Sequence, residues 1–229
     1  ELIRQWVFLD CKTNKRNLVI IVPSQQKAKK WKELGAKVID NVENGFDEIM
    51  NNLKSGENEQ IVLVNRYDGI DFSGDLSHML ILDGMPVFST NKERADANTF
   101  RDDRLRGKLA QKIEQGMGRT VRSNSDYSVV ILLGESLTKF VSLKKNLLLF
   151  SPATKEQLKI SNDIISDSLI SYDDAIKEIA KSINYCLQRK DAWVKYSKNQ
   201  LLNVSIDDFS NEDLEKIYLE YESFKKYKN

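Results

Sequence analysis

The sequence predicts an α/β protein, a mostly parallel sheet flanked by helices with a helical C-terminal extension. Three observations lead there. Short runs rich in β-branched residues, such as Leu18-Val19-Ile20-Ile21-Val22 and Ile61-Val62-Leu63-Val64, are apolar at every position. That is the pattern of strands covered on both faces, as parallel sheets require. Segments with helical spacing alternate with these runs, as crossover connections do. Beyond Leu133 the strand-like runs stop and apolar stripes at helical spacing take over.

Taken in order, Leu2, Ile3, Trp6, Val7 and Leu9 give a short helix between Glu1 and about Lys15, closed by a polar break to Asn17. Residues 18–22 form a buried strand ended by Pro23. Ser24 stands where an N-cap belongs, before a helix over 25–34 that Gly35 stops. Ala36 to Ile39 reads as a short strand, Phe46 to Lys54 as a helix and Ser55 to Glu59 as a loop. Residues 61–64, 78–82 and 127–133 read as buried strands, and 99–116 as a charged helix. Ser171-Tyr172-Asp173-Asp174 looks like a capping box ahead of a stripe through Ala175, Ile176, Ile179, Ala180, Ile183 and Leu187. Ser210 to Asp213 offers a second cap, before Leu214, Ile217, Tyr218, Tyr221 and Phe224. The division expected is a lobe over 1–150 and a helical extension over 151–229. The extension either packs back on the sheet or faces a partner or nucleic acid.

Composition narrows the function. With 41% apolar and 30% charged residues among 229, the chain is an ordinary globular one. A net charge of +1 supplies no global basic field, so any nucleic-acid binding must come from local patches. Two such groups exist, Lys27, Lys29, Lys30 and Lys32, and Arg101, Arg104, Arg106 and Lys108. Each is either a groove lining or a solvated helix face. Cys11 and Cys186 have no metal-ligand spacing and read as reduced thiols of a cytoplasmic protein. A single histidine, His78, rules out a histidine-based metal site or catalytic triad, so no metal ligands are assigned. It reads as a packed or edge histidine. No apolar run is long enough to span a membrane, and no signal peptide is visible. The chain starts at Glu1 and reads as a fragment of something longer. Trp6, Trp31 and Trp193 read as packing anchors, any one of which can also stack a base.

In parallel sheets ligands bind beyond the carboxyl ends of the strands. Pro23-Ser24-Gln25, Asn65 to Asp71 and Asp83 to Pro86 each follow a strand directly and should gather on one edge. The densest chemistry lies in Gln115-Gly116-Met117-Gly118-Arg119-Thr120-Val121-Arg122. Arginines three apart face one side of a helical turn, so both guanidiniums can aim at one anion. Gly116 and Gly118 permit close backbone approach. Such a pair suits the charge that develops on a phosphoryl group in transfer. The plain alternative is a helix end with two solvated arginines. In Asn65-Arg66-Tyr67-Asp68-Gly69-Ile70-Asp71, Gly69 lets the backbone pass close to a ligand. Asp71 can accept from a ribose hydroxyl or orient an arginine, and Asn65 and Arg66 can donate to phosphate oxygens. Asx turns are the plain alternative for Asp68 and Asp71. Ser24 is either a simple N-cap or a phosphate contact through hydroxyl and helix N-terminus together, with Gln25 beside it.

Residues 115–122 resemble motif VI of superfamily 2 helicases, Q-x-x-G-R-x-x-R, and Ser125-Asp126-Tyr127 with the following strand resembles the XPD/DinG branch. Residues 65–75 resemble motif V, and Val22-Pro23-Ser24-Gln25 the motif IV region. Arg66-Tyr67-Asp68 departs from the neighbours usual in the XPD type. The resemblance covers roughly 18–140 in the order IV, V, VI and implies a second RecA-like lobe. No phosphate loop and no Asp-Glu-Ala-His-like element is present. ATP and Mg²⁺ would therefore be held mainly by a first lobe absent from this chain. The resemblance makes Arg119 and Arg122 the arginine fingers and gives Gln115 the task of positioning them or the attacking water. Gly69 and Asp71, with Gly118, would meet the nucleotide, and Ser24, Gln25, Asn65 and Arg66 the nucleic acid.

The expected function is thus the second motor lobe of an ATP-dependent nucleic-acid helicase or translocase, with DNA favoured, inactive without its N-terminal RecA-like lobe and without membrane association. The alternative is a non-catalytic nucleic-acid-binding or regulatory module that keeps the fold. An unrelated α/β hydrolase lacks support, because there is no nucleophile elbow and no suitable histidine.

Overall fold

The computed structural model describes residues 1–39, 46–67, 70–72, 74–88, 95, 102–121, 126–165, 171–202 and 218–219. Five strands, β1 (Leu18–Val22), β2 (Lys37–Ile39), β3 (Gln60–Val64), β4 (Met79–Asp83) and β5 (Val129–Leu133), form one sheet in the order β2-β3-β1-β4-β5. Every pairing is parallel, with Ile20 opposite both Val62 and Ile81. The fold is the parallel α/β sheet flanked by helices that the sequence predicts.

Side chains alternate across a strand, so each strand feeds two cores. Val19 and Ile21 of β1 enter one core with Ile61, Leu63, Leu80 and Leu82. That core is closed by α3 (Phe46–Ser55), α4 (Asp102–Met117) and α5 (Glu135–Ser142) through Leu53, Ala110, Ile113, Leu137 and Phe140. Leu18, Ile20 and Val22 enter the other core with Val62, Met79 and Ile81. There α1 (Leu2–Thr13) and α2 (Gln25–Leu34) supply Val7, Phe8, Cys11, Ala28 and Trp31. The central position of β1 explains why its run has no polar residue.

Two expectations are corrected. The buried stripe of α1 is Val7, Phe8 and Cys11, with Arg4 one turn earlier, while Leu2, Ile3 and Leu9 are exposed. Helical spacing fits either stripe, and the position of the sheet selects one. β5 is an edge strand, and each of its residues is half-buried rather than buried.

Further helices follow β5: α6 (Lys144–Leu147), α7 (Pro152–Ile165), α8 (Tyr172–Leu187) and α9 (Asp191–Leu202). Ser171 caps α8 as its sequence predicts, accepting from the Asp174 N–H at 3.2 Å and donating to the Asp174 carboxylate at 2.7 Å. Ile183 is buried in the second core with Ile179 and Leu187 against it, so α8 lies on the sheet. The Arg16 guanidinium ties α8 to the end of α1 by donating to the Asn184 side chain at 2.7 Å. The cap at 210–213 and its stripe lie outside the described residues, apart from Tyr218.

Candidate functional site

Because all five strands run the same way, the segments that follow them share one edge, and hydrogen bonds join them there. Asn65, in a left-handed conformation (φ 53°), donates its N–H to the Val22 carbonyl at 2.7 Å. Gly84 donates to the Leu133 carbonyl at 2.9 Å. A Cβ on Gly84 would lie 3.1 Å from the Pro23 ring, and φ is 114° there, so the turn after β4 fits against the turn after β1 only as glycine. The segments expected to gather do so.

The motif VI stretch reaches this edge from α4, which passes into a 3-10 turn over Gly118–Thr120. Arg119 is half-buried. Its Nε donates to the carbonyls of Tyr67 (2.9 Å) and Gln115 (3.0 Å), and its Nη1 to that of Ile70 (3.0 Å). Its own carbonyl accepts from the Phe72 N–H at 2.8 Å. One residue thus holds the chain at Tyr67, at Ile70 and at Phe72. Nη2 has no hydrogen-bond partner among the described residues. Gln115 is exposed on the last turn of α4.

The two glycines of this stretch differ. A Cβ on Gly116 would sit 2.9 Å from Tyr67 Cδ1 and 3.3 Å from both Leu82 methyls, so Gly116 lets α4 lie against Tyr67. A Cβ on Gly118 would meet nothing within 4 Å among the described residues, and its φ is not left-handed. Nothing in the described fold requires glycine at 118.

Of the remaining candidates, Ser24 caps α2, its hydroxyl accepting from the Lys27 N–H at 3.4 Å. Gln25 and Arg66 are exposed, and Asp71 is half-buried. Arg122, Gly69 and Asp68 lie outside the described residues. The lysine group divides: Lys29, Lys30 and Lys32 are exposed, while Lys27 turns inward to an ion pair. Trp31 is fully buried and cannot stack a base.

That ion pair belongs to a network which the sequence reading missed. Asp83, at the carboxyl end of β4, is fully buried. Arg4 donates to it twice (Nε 2.6 Å, Nη2 3.0 Å), Lys27 Nζ once (2.9 Å) and the Trp31 indole once (2.9 Å). Burial alone pushes this carboxyl up. The hydrogen bonds and charges of Arg4 and Lys27 outweigh it and hold the group down at about 2. Burial, and then the Asp83 charge, push the neighbouring Tyr67 hydroxyl up, so it stays neutral and points at the Gly84 carbonyl 3.5 Å away. One signal for the network stands in the sequence, an aspartate closing an apolar strand.

At the other end of the strands His78 stacks on Tyr127 with centroids 4.2 Å apart, and its Nδ1 lies 2.9 Å from the Tyr127 carbonyl. It is a packed histidine. Among the described residues no three His, Cys, Asp or Glu side chains gather to hold a metal, and no helix is long and apolar enough to cross a membrane. Burial pushes the Cys11 thiol to about 12, which leaves it inert.

Residues 9–149 match the family model described as helicase C-terminal domain. The chain belongs to that family. The match agrees with the helicase C-terminal lobe expected from the motifs. A solved structure of S. tokodaii Xpd4 is similar over 63% of this chain, at 20% identity and a TM-score of 0.43. The helicase lobe spans 33% of that longer chain. No curated protein matches it.

Proposed function

We propose that this lobe is the second motor lobe of an ATP-dependent nucleic-acid helicase or translocase, closing over ATP and Mg²⁺ held by a first lobe. The observation that carries the reading is Arg119 seated on the Tyr67–Phe72 turn, so that the motif VI arginine and the motif V backbone act as one body. The donor set fits the periphery of a triphosphate and not its bed. It has guanidiniums and a glycine with open space beside it, but no phosphate loop, and no acidic cluster among the described residues.

The same contacts supply a way to couple nucleotide to nucleic acid. Arg119 now serves neutral carbonyls, whereas a phosphate oxygen would add a full negative charge opposite the same charged donor. Turning the fork toward a phosphate oxygen exchanges weaker acceptors for a stronger one. That exchange frees the Tyr67 and Ile70 carbonyls, which follow Asn65 and Arg66 in the chain. Arg122, three residues on in sequence, provides the second cation. Ser24 and Gln25 at the head of α2, with Asn65 and Arg66, meet the nucleic-acid backbone, DNA being the favoured track.

The test is ATP turnover by the full-length protein with and without single-stranded DNA or RNA, beside Arg122→Ala. Stimulation by nucleic acid, lost in the variant, is the expected result. Equal rates would count against the enzyme and favour a binding module that has kept the fold.

A further inference from the structure

Asp83 sits between two groups of residues that the motor-lobe reading assigns to different ligands. Its carboxylate accepts two hydrogen bonds from Arg4 of α1, at 2.6 and 3.0 Å. It accepts one each from Lys27 Nζ and the Trp31 indole of α2, both at 2.9 Å. On one side, that lysine belongs to the head of α2. The Ser24 hydroxyl accepts from the Lys27 N–H at 3.4 Å, and Gln25 opens the helix. On the other side, Asp83 runs into Gly84. The Gly84 N–H donates to the Leu133 carbonyl at 2.9 Å, and its carbonyl faces the Tyr67 hydroxyl at 3.5 Å. The Tyr67 carbonyl in turn accepts from Arg119 Nε at 2.9 Å. A series of contacts thus runs from Ser24 to Arg119 with Asp83 in the middle.

The parts of this series are pressed together. Lys27 lies across the turns that follow β4 and β5. A Cβ on Gly84 would be 3.4 Å from its Cε, and a Cβ on Gly134 3.5 Å from its Nζ. Tyr67 is fully buried, and a Cβ on Gly116 would lie 2.9 Å from its ring. Close-packed groups pass a displacement on rather than absorb it. Apolar side chains of the same volume can serve stability as well as a buried ion network does. What they lack is directed bonds to two helices and a strand end at once.

We propose that Asp83 is a joint between the nucleic-acid-facing head of α2 and Arg119, and that Arg4 and Lys27 are its positioning residues. The inference rests on the motor-lobe reading. Nucleic acid held at Ser24 and Gln25 shifts Lys27, and Lys27 shifts the carboxylate. Arg4 anchors that carboxylate to α1, so the shift passes into Gly84 and Tyr67, where Arg119 is seated.

The test measures ATP turnover by the full-length protein with and without single-stranded oligo(dT). The ratio of the two rates is the readout. A misfolded fraction lowers both rates alike and leaves the ratio unchanged, so a merely structural role would not move it. Lys27→Met keeps a stem over the glycine turns and leaves Asp83 to Arg4 and Trp31. Arg4→Lys keeps the charge but loses the fork. Each should lower the ratio about tenfold, within the usual span of coupling between two sites. The double variant should lower it no further, since both residues act on one carboxylate. A phosphate contact by Lys27 would reduce the slope of oligo(dT) binding against salt by about one, and the slope should instead stay as in wild type. A wild-type ratio in Lys27→Met, a reduced slope, or losses that multiply in the double variant each overturns the proposal. If the wild type is not stimulated at all, the motor-lobe reading falls and the joint falls with it.

Discussion

Replacing Gly116 with alanine tests the contact that seats α4 on the site edge. The added Cβ would lie 2.9 Å from Tyr67 Cδ1 and 3.3 Å from the two Leu82 methyls. Neither neighbour can yield easily. Tyr67 is fully buried with its hydroxyl facing the Gly84 carbonyl, and Leu82 is fully buried in β4. Overpacking of this kind costs about 1–3 kcal/mol. Alanine returns up to about 1 kcal/mol of helix propensity, and less in a final turn. The net expectation is a loss of about 1–2 kcal/mol. At about 2–4 °C per kcal/mol for a chain of this size, the thermal midpoint by circular dichroism should fall by about 2–8 °C. Gly118→Ala is the control. With open space around it, its stability should stay within about 0.5 kcal/mol of wild type. If Gly116→Ala proves as stable as Gly118→Ala, the packing described between α4, Tyr67 and Leu82 is wrong.

Two other outcomes follow from the same edge. Because Asp83 is held at about 2 against an ordinary 3.8, its folded value is depressed. Its contribution of about 2 kcal/mol is then complete above about pH 5 and is lost as pH falls from about 4 through 2. Urea unfolding should show wild type well above Asp83→Asn at pH 6 and the gap closing toward pH 2, and a gap constant with pH would refute it. Arg119→Lys keeps the charge but loses the fork that spans the Tyr67 and Ile70 carbonyls. The Phe72 amide, bonded to the Arg119 carbonyl, should exchange with solvent about tenfold faster, since about 1–2 kcal/mol of hydrogen bonding is removed. Unchanged protection would show that the fork does not hold the turn.

The strand pattern was legible because β1, β3 and β4 lie inside the sheet and must be apolar throughout. The site segments were legible because a parallel sheet places every strand's exit on one edge. Gly35 and Ser171 declared the ends of their helices through the backbone conformations that those positions favour. Four things were not legible. The buried stripe of α1 had two solutions at helical spacing, and only the sheet chooses Val7, Phe8 and Cys11. The Asp83 network joins residues 4, 27, 31 and 83, and no local pattern links positions so far apart. Gly116 and Gly118 look alike in sequence, yet one is pressed against Tyr67 and the other faces open space. The grip of Arg119 on the turn was likewise hidden, since an arginine aimed at carbonyls and one aimed at a phosphate share a sequence.

The claim at the centre is that this lobe brings positive charge to a triphosphate held elsewhere. Trapping of ADP with aluminium fluoride on the full-length protein tests it most directly, since that complex mimics the phosphoryl group in flight. Wild type should trap it, while Arg119→Ala and Arg122→Ala should bind ADP as well as wild type but fail to trap, with turnover reduced about a thousandfold. Normal trapping by both variants would contradict the claim.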